Sequence, residues 1–150
     1  MASIKDVWGF SHNIIRAGRQ LVNDGLRPLG LTSAEGNVLL HLLSEGDAVR
    51  QEDLVERLDV SKTAISRAVD ALEAKGYATR EKDLSDKRAS LIYLTPRAAQ
   101  IATPVEEVYN RVFAVAAEGI DESSIAAFSH LFAKVSANFD RARAAGRSKD

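Results

Sequence analysis

Apolar and small residues recur at spacings of three and four along the first segment: Ile4, Val7, Trp8, Ser11, Ile14, Ile15, Gly18, Leu21, Val22 and Leu26. Lys5, Asp6, Asn13, Arg16 and Arg19 fall off that stripe. The period predicts one amphipathic helix, ended by Pro28 and Gly30. A rod of about 23 residues at 1.5 Å each is roughly 35 Å long. That exceeds the needs of a small domain, so part of the stripe is expected to meet a second chain. Thr32-Ser33-Ala34-Glu35 has capping-box spacing, in which hydroxyl and carboxylate satisfy each other's backbone amides. The helix it opens covers Asn37–Leu43 and ends at Glu45-Gly46-Asp47. A short helix, Gln51–Leu58, turns Leu54, Val55 and Leu58 inward. After Leu58-Asp59-Val60, Ser61 is a good N-cap. The helix behind it buries Ala64, Ile65, Ala68, Val69 and Leu72, and stops at Gly76, the residue that best accepts a left-handed position past a helix end.

Two strand-like runs, Tyr77–Arg80 and Ala89–Leu94, flank the charged Glu81–Arg88. The second run halts at Thr95-Pro96, with Thr as cap and Pro in the first helical position. The remainder reads as helix. Val105, Val108, Val112, Val115 and Ala116 make one stripe; after a break at Gly119-Ile120-Asp121, the residues Ile125, Phe128, Leu131, Phe132, Val135 and Phe139 make another. Pro104 lies in Thr103-Pro104-Val105-Glu106, a second capping-box pattern, which predicts a kink or restart. The tail after Ala144 is expected to fray. The fold class is mainly α with a small two- or three-stranded β-wing: a winged helix-turn-helix over 32–97, carried by long terminal helices (1–30 and 98–145) that form a dimerisation region.

Composition narrows the function. The 150 residues are 45% hydrophobic and 27% charged, which suits one globular domain with a real core. No apolar run approaches the roughly 18 residues of a membrane span, and the N-terminus lacks the basic and apolar regions of a signal peptide, so a cytoplasmic, nucleoid-associated location and no membrane partner are expected. Cysteine is absent, which removes disulfides, thiol catalysis, Cys-based zinc sites and thiol redox sensing. No metal-binding His-Glu-x-x-His, glycine-rich phosphate loop or serine-hydrolase motif is present. An enzyme is not expected, nor is a cofactor. The net charge of −1 requires any nucleic-acid binder to concentrate its positive charge. Residues 61–88 hold seven lysines and arginines against five carboxylates.

Helix, turn, helix and charged hairpin is the order of a winged helix-turn-helix, whose second helix enters the major groove N-terminus first. The exposed groups leading that helix, Ser61, Lys62, Thr63, Ser66 and Arg67, suit phosphates and base edges. Lys82, Lys87 and Arg88 at the hairpin are placed to follow into the neighbouring minor groove. Val60-Ser-Lys-Thr-Ala-Ile-Ser-Arg67, Val69-Asp-Ala-Leu-Glu-Ala-Lys-Gly76, Asp86-Lys-Arg88 and Leu94-Thr95 together resemble the multiple-antibiotic-resistance regulator (MarR) family over nearly the whole chain. The most specific element is Asp-x-Arg followed six residues later by Leu-Thr.

The resemblance implies a homodimer on a pseudo-palindromic double-stranded DNA operator, and repression relieved by a small aromatic or anionic effector. By position it makes Arg88 the wing arginine of the minor groove. Asp86 would hold the wing by pairing with a nearby arginine, and Arg80 occupies another position that is usually basic. Three departures stand out: Asp59 where a turn glycine is usual, Arg50 where a capping Ser or Thr is usual, and Ala98 where a glycine is common. Arg50 would exchange a cap for a phosphate contact.

The blander reading of Ser61–Arg67 is a solvated helix face, and of Lys87 and Arg88 a polar hairpin tip; their order and company favour the sharper one. His41, within Leu39-Leu-His-Leu-Leu43, reads as a core or boundary histidine. His12 and His130 have no metal spacing. His12 and Arg16 are candidates for an effector pocket. The competing function is a winged-helix protein-interaction module that has lost DNA binding.

Overall fold

The structure, a computed structural model, describes residues 1–46 and 48–147. It is built of α1 (Ile4–Leu26), α2 (Ser33–Glu45), β1 (Val49–Arg50), α3 (Gln51–Leu58), α4 (Lys62–Ala74), β2 (Ala78–Lys82), β3 (Ser90–Leu94), α5 (Ala98–Ala117) and α6 (Glu122–Arg147), with a 3-10 turn at Arg27–Leu29. The three strands form an antiparallel sheet in the order β1-β3-β2. This is the mainly α winged helix-turn-helix that the pattern predicts. The chain divides into two compact units, residues 1–112 and the remainder from Phe113.

Local chemistry sets the helix ends. Ser3 caps α1 in a reciprocal capping box with Asp6, which periodicity alone did not mark. Thr32 and Glu35 form the predicted box at the head of α2. That helix closes on Gly46 in the left-handed region; Asp47, which the pattern placed in the same ending, lies outside the described residues. At the end of α4 the Tyr77 amide donates to Leu72 O and the Gly76 amide to Glu73 O, both at 2.9 Å. These are the two bonds of a Schellman motif, with Gly76 at φ 78°.

The core of the first unit gathers one face of each element. Leu26, Val38, Leu39, Leu54, Val69, Leu72, Ile92 and Val105 are fully buried, each contributing roughly 1.5–3 kcal/mol. Leu54 is inside as predicted, with Val55 and Leu58 half-buried against the same cluster. Ala64 is only half-buried.

Three sequence expectations need correction, and one strand of the sheet lies outside the pattern. β1 pairs Val49 with Ile92 and Arg50 with Leu91; two residues show no period, so the pattern did not mark this third strand. Thr95 does not cap α5: its hydroxyl donates to Gly76 O at 2.6 Å, and the helix begins at Ala98 after a tight turn. No restart occurs at Thr103, because α5 runs through Pro104. The proline forfeits one backbone bond, while Ile101, Val105, Val108 and Tyr109 on the same helix are buried; burial outweighs that loss. Finally, α6 continues beyond Ala144 to Arg147; residues 148–150 lie outside the described ones. In the second unit, the predicted break before α6 is present. Gly119 sits at φ 73°, and the Ser124 amide donates to Asp121 Oδ1 at 2.7 Å.

Candidate nucleic-acid interface

The turn between α3 and α4 is carried by Asp59 at φ 49°, a left-handed position that Asp tolerates better than most residues. Ser61 then caps α4, its Oγ accepting from the Ala64 amide at 3.1 Å. Ile65, Ala68, Val69 and Leu72 hold one face of α4 in the core. The opposite face of its leading half therefore carries Ser61, Lys62, Thr63 and Arg67, all exposed. Ser66 is half-buried, and its carbonyl accepts from Arg80 Nη2 at 3.3 Å. The uncapped amides of the first turn add partial positive charge at this end.

The wing is a β2–β3 hairpin closed by the pair Lys82 and Ser90. Lys82 ends β2 rather than lying at the tip, whereas Lys87 and Arg88 stand exposed in the loop. Two carboxylates shape that loop. Asp83 Oδ1 accepts from the Ser85 amide at 2.9 Å and the Ser85 hydroxyl at 2.7 Å, while its Oδ2 accepts from Arg50 Nη2 at 2.6 Å. The Ser85 hydroxyl first, then its amide, hold the Asp83 carboxyl below the usual aspartate range despite burial. Asp86 Oδ1 takes the Arg88 amide at 3.1 Å.

Among the described residues, then, the wing carboxylate paired with an arginine is Asp83, not Asp86. Asp86 shapes the loop through its neighbour's backbone. Arg50 heads α3 without a side-chain cap and reaches across the sheet to the wing root through its Nη2, its side chain staying partly exposed. Its separation of 33 residues from Asp83 leaves no mark in local sequence.

Arg80 ties the wing to the helix. Its Nη1 lies 2.7 Å from Asp70 Oδ1 and 3.3 Å from Glu73 Oε1, both on α4. Lys62 and Arg88 converge on one cleft of about 170 Å³, which Gln51, Glu52, Val55 and Ser90 also line. The head of α4 and the wing loop thus each contribute a cation to the same cleft. The wing tip also carries Leu84, 98% exposed, which the charge pattern passed over.

The two effector candidates do not converge. Arg16 lines an open hollow of about 520 Å³ with Arg19, Asn23, Arg27 and Thr32. His12 is not among its walls; the ring is exposed on α1, with Nδ1 3.2 Å from Trp8 O. His41 is a boundary residue: its side chain is largely buried and its Nε2 lies 3.8 Å from Glu45 Oε1.

A family profile described as MarR family matches residues 29–89, the stretch from the end of the 3-10 turn to the wing. Solved structures extend the likeness to most of the chain. The transcriptional regulator PA3341 is 30% identical over 90% of this chain and 98% of its own, with a TM-score of 0.81. A mutant MarR from E. coli, solved in complex with operator DNA, is 25% identical over 88% of this chain and 94% of its own, with a TM-score of 0.76. A putative MarR family regulator from Listeria monocytogenes, complexed with a 26mer DNA, shares the fold at 24% identity and a TM-score of 0.76, over 92% of this chain and 89% of its own. With the capped α4, the Asp86–Arg88 wing and these relatives in agreement, the chain belongs to the MarR family of transcriptional regulators.

Proposed function

We propose that this regulator binds a pseudo-palindromic operator as a homodimer, represses transcription there, and is released by a small aromatic or anionic ligand. The observation that carries the DNA-binding reading is the convergence of Lys62, at the head of α4, with Arg88 of the wing on one cleft. One face of the protein can then engage a major groove and the adjacent backbone together. Ser61, Thr63, Ser66 and Arg67 supply groups for the major groove, and Lys82, Lys87 and Arg88 for the phosphates and minor groove. Asp86 and Arg80 hold the wing that presents them. The operator complex of the E. coli relative supports the same use of this fold.

The dimer rests on apolar surface. On α1, Ile4, Trp8, Phe10, Ile14 and Ile15 are 55–61% exposed; on α6, Ile125, Phe128, Leu131, Phe132 and Phe139 are exposed too. Such rows of large apolar residues mark interaction surfaces, and a second copy is the occupant proposed. For the effector, the Arg16, Arg19 and Arg27 hollow is the better candidate, which keeps Arg16 and sets His12 aside. A ligand that binds a DNA-incompetent arrangement more tightly shifts the population toward it. A cytoplasmic place on the nucleoid follows from this reading, and no helix of the described chain is long and apolar enough to cross a membrane.

Retention of genomic DNA fragments by the full chain at moderate salt tests this. A small set of fragments should be enriched, and their affinity should fall with log salt at a slope of about −0.9 per neutralised phosphate. Absent retention would contradict the proposal and leave the protein-interaction module, with which the net charge of −1 is compatible, as the better account; uniform retention would contradict sequence-specific binding.

A further inference from the structure

The C-terminal end of α4 is where the exit of α1 and the start of α5 join the DNA-binding lobe. Lys75, the C-cap residue, sends its Nζ away from the groove face to Gly30 O at 2.8 Å and Glu35 Oε2 at 2.5 Å. Gly30 closes the 3-10 turn that follows α1. Glu35 is buried, and the same Oε2 accepts from the Thr32 amide at 3.3 Å, so it also caps α2. One residue on, Gly76 O accepts from the Thr95 hydroxyl and Tyr77 O from the Thr95 amide at 3.0 Å. Arg97 lies over the Tyr77 ring; the next residue, Ala98, begins α5. The exit of α1 and the start of α5 are therefore both fastened to Lys75–Tyr77.

We infer that Lys75 is a positioning residue for operator recognition: its bonds to Gly30 O and Glu35 set the angle at which α4 leaves this junction. This rests on the DNA-binding reading above. The leverage is geometric. A 13-residue helix is about 20 Å long, so a tilt of about 6° about its C-terminal end moves the leading residues by about 2 Å. Bidentate base contacts fail over such a displacement, whereas the flexible lysines and arginines that reach phosphates follow it. Lys75 thus governs specific binding while leaving nonspecific binding alone. The geometry also gives α1 a route to α4 that does not pass through the hydrophobic core.

The test uses the full chain and the duplex that the wild type selects from a random-sequence library, with a scrambled duplex beside it. Lys75→Met should lower affinity for the selected duplex by about tenfold, within the range by which residues remote from a ligand modulate coupling. Affinity for the scrambled duplex and the salt slope should stay at wild-type values. Glu35→Gln, which keeps an acceptor for the Thr32 amide, should lose part of the same affinity. The double variant should be no worse than Lys75→Met, because the two residues act as one contact.

Binding is measured at a temperature where circular dichroism shows every variant folded; should Lys75→Met not fold, the Glu35→Gln comparison decides. Unchanged affinity for the selected duplex, or an equal loss on both duplexes, overturns the inference. So does a salt slope smaller by about 0.9, the mark of a lost phosphate contact, or additive losses. If the wild type selects no sequence at all, the DNA-binding reading falls first and this inference with it.

Discussion

A Cβ built on Gly36 would lie 2.4 Å from Leu26 Cδ1 and 2.9 Å from Tyr109 Oη, so α1, α2 and α5 approach one another through the space that this residue leaves empty. Leu26 is fully buried and Tyr109 nearly so, and the Tyr109 hydroxyl donates to Asn37 Oδ1 at 2.5 Å. The same burial pushes the Tyr109 hydroxyl well above the usual tyrosine range, keeping it a neutral donor. Neither neighbour can swing aside without breaking contacts. Gly36→Ala would gain up to about 1 kcal/mol of helix propensity. Overpacking of a closed core costs about 1–3 kcal/mol, and with both neighbours buried it should prevail. The variant should melt several degrees lower, since each kcal/mol moves the midpoint by about 2–4 °C at this size. A melting temperature at or above wild type would show that the helices have slack here. Nothing in the sequence distinguishes Gly36 from a tolerated helical glycine. Its meaning lies in residues 10 positions before and 73 after it.

At the scale of elements, the sequence is readable wherever one residue decides a boundary. Ser61 as cap, Gly76 as stop and Asp59 as left-handed turn are local chemistry, and all three stand in the structure as read. Elements held by distant partners were harder to see. β1 exists because β3 offers it a ladder, and α5 continues through Pro104 because its face is buried. The wing likewise depends on Arg50 reaching Asp83. This last feature has a pH signature. Asp83 titrates below its ordinary value in the folded wing, so the carboxylate's contribution is fully present above the unfolded-state aspartate pKa of about 3.9 and is lost as pH falls through the lower folded value. The Ser85 amide proton, bonded to that carboxylate, should report it in an NMR titration with a midpoint below about 3.9. A midpoint at or above that value would mean that Ser85 and Arg50 do not hold the charged form, and the account of the wing root would fail.

For the whole molecule, a net charge of −1 gives no general attraction to DNA, so the proposed recognition rests on the arrangement of a few cations and on the pairing of two copies. The sequence located the cations on α4 and the wing, but not the cleft that joins Lys62 to Arg88, because that meeting depends on the register of the hairpin. The proposed dimer has only surplus to point to it in the sequence: helices longer and more apolar than one lobe requires. A two-fold pair of lobes makes a geometric demand on the DNA, with half-sites about one helical turn apart. The most direct measurement is a hydroxyl-radical footprint of the full chain on its most strongly retained genomic fragment. The account predicts two related protected half-sites in inverted orientation, with centres about 10–10.5 bp, or 34–36 Å, apart. A single asymmetric patch, or uniform protection without sequence symmetry, would contradict it.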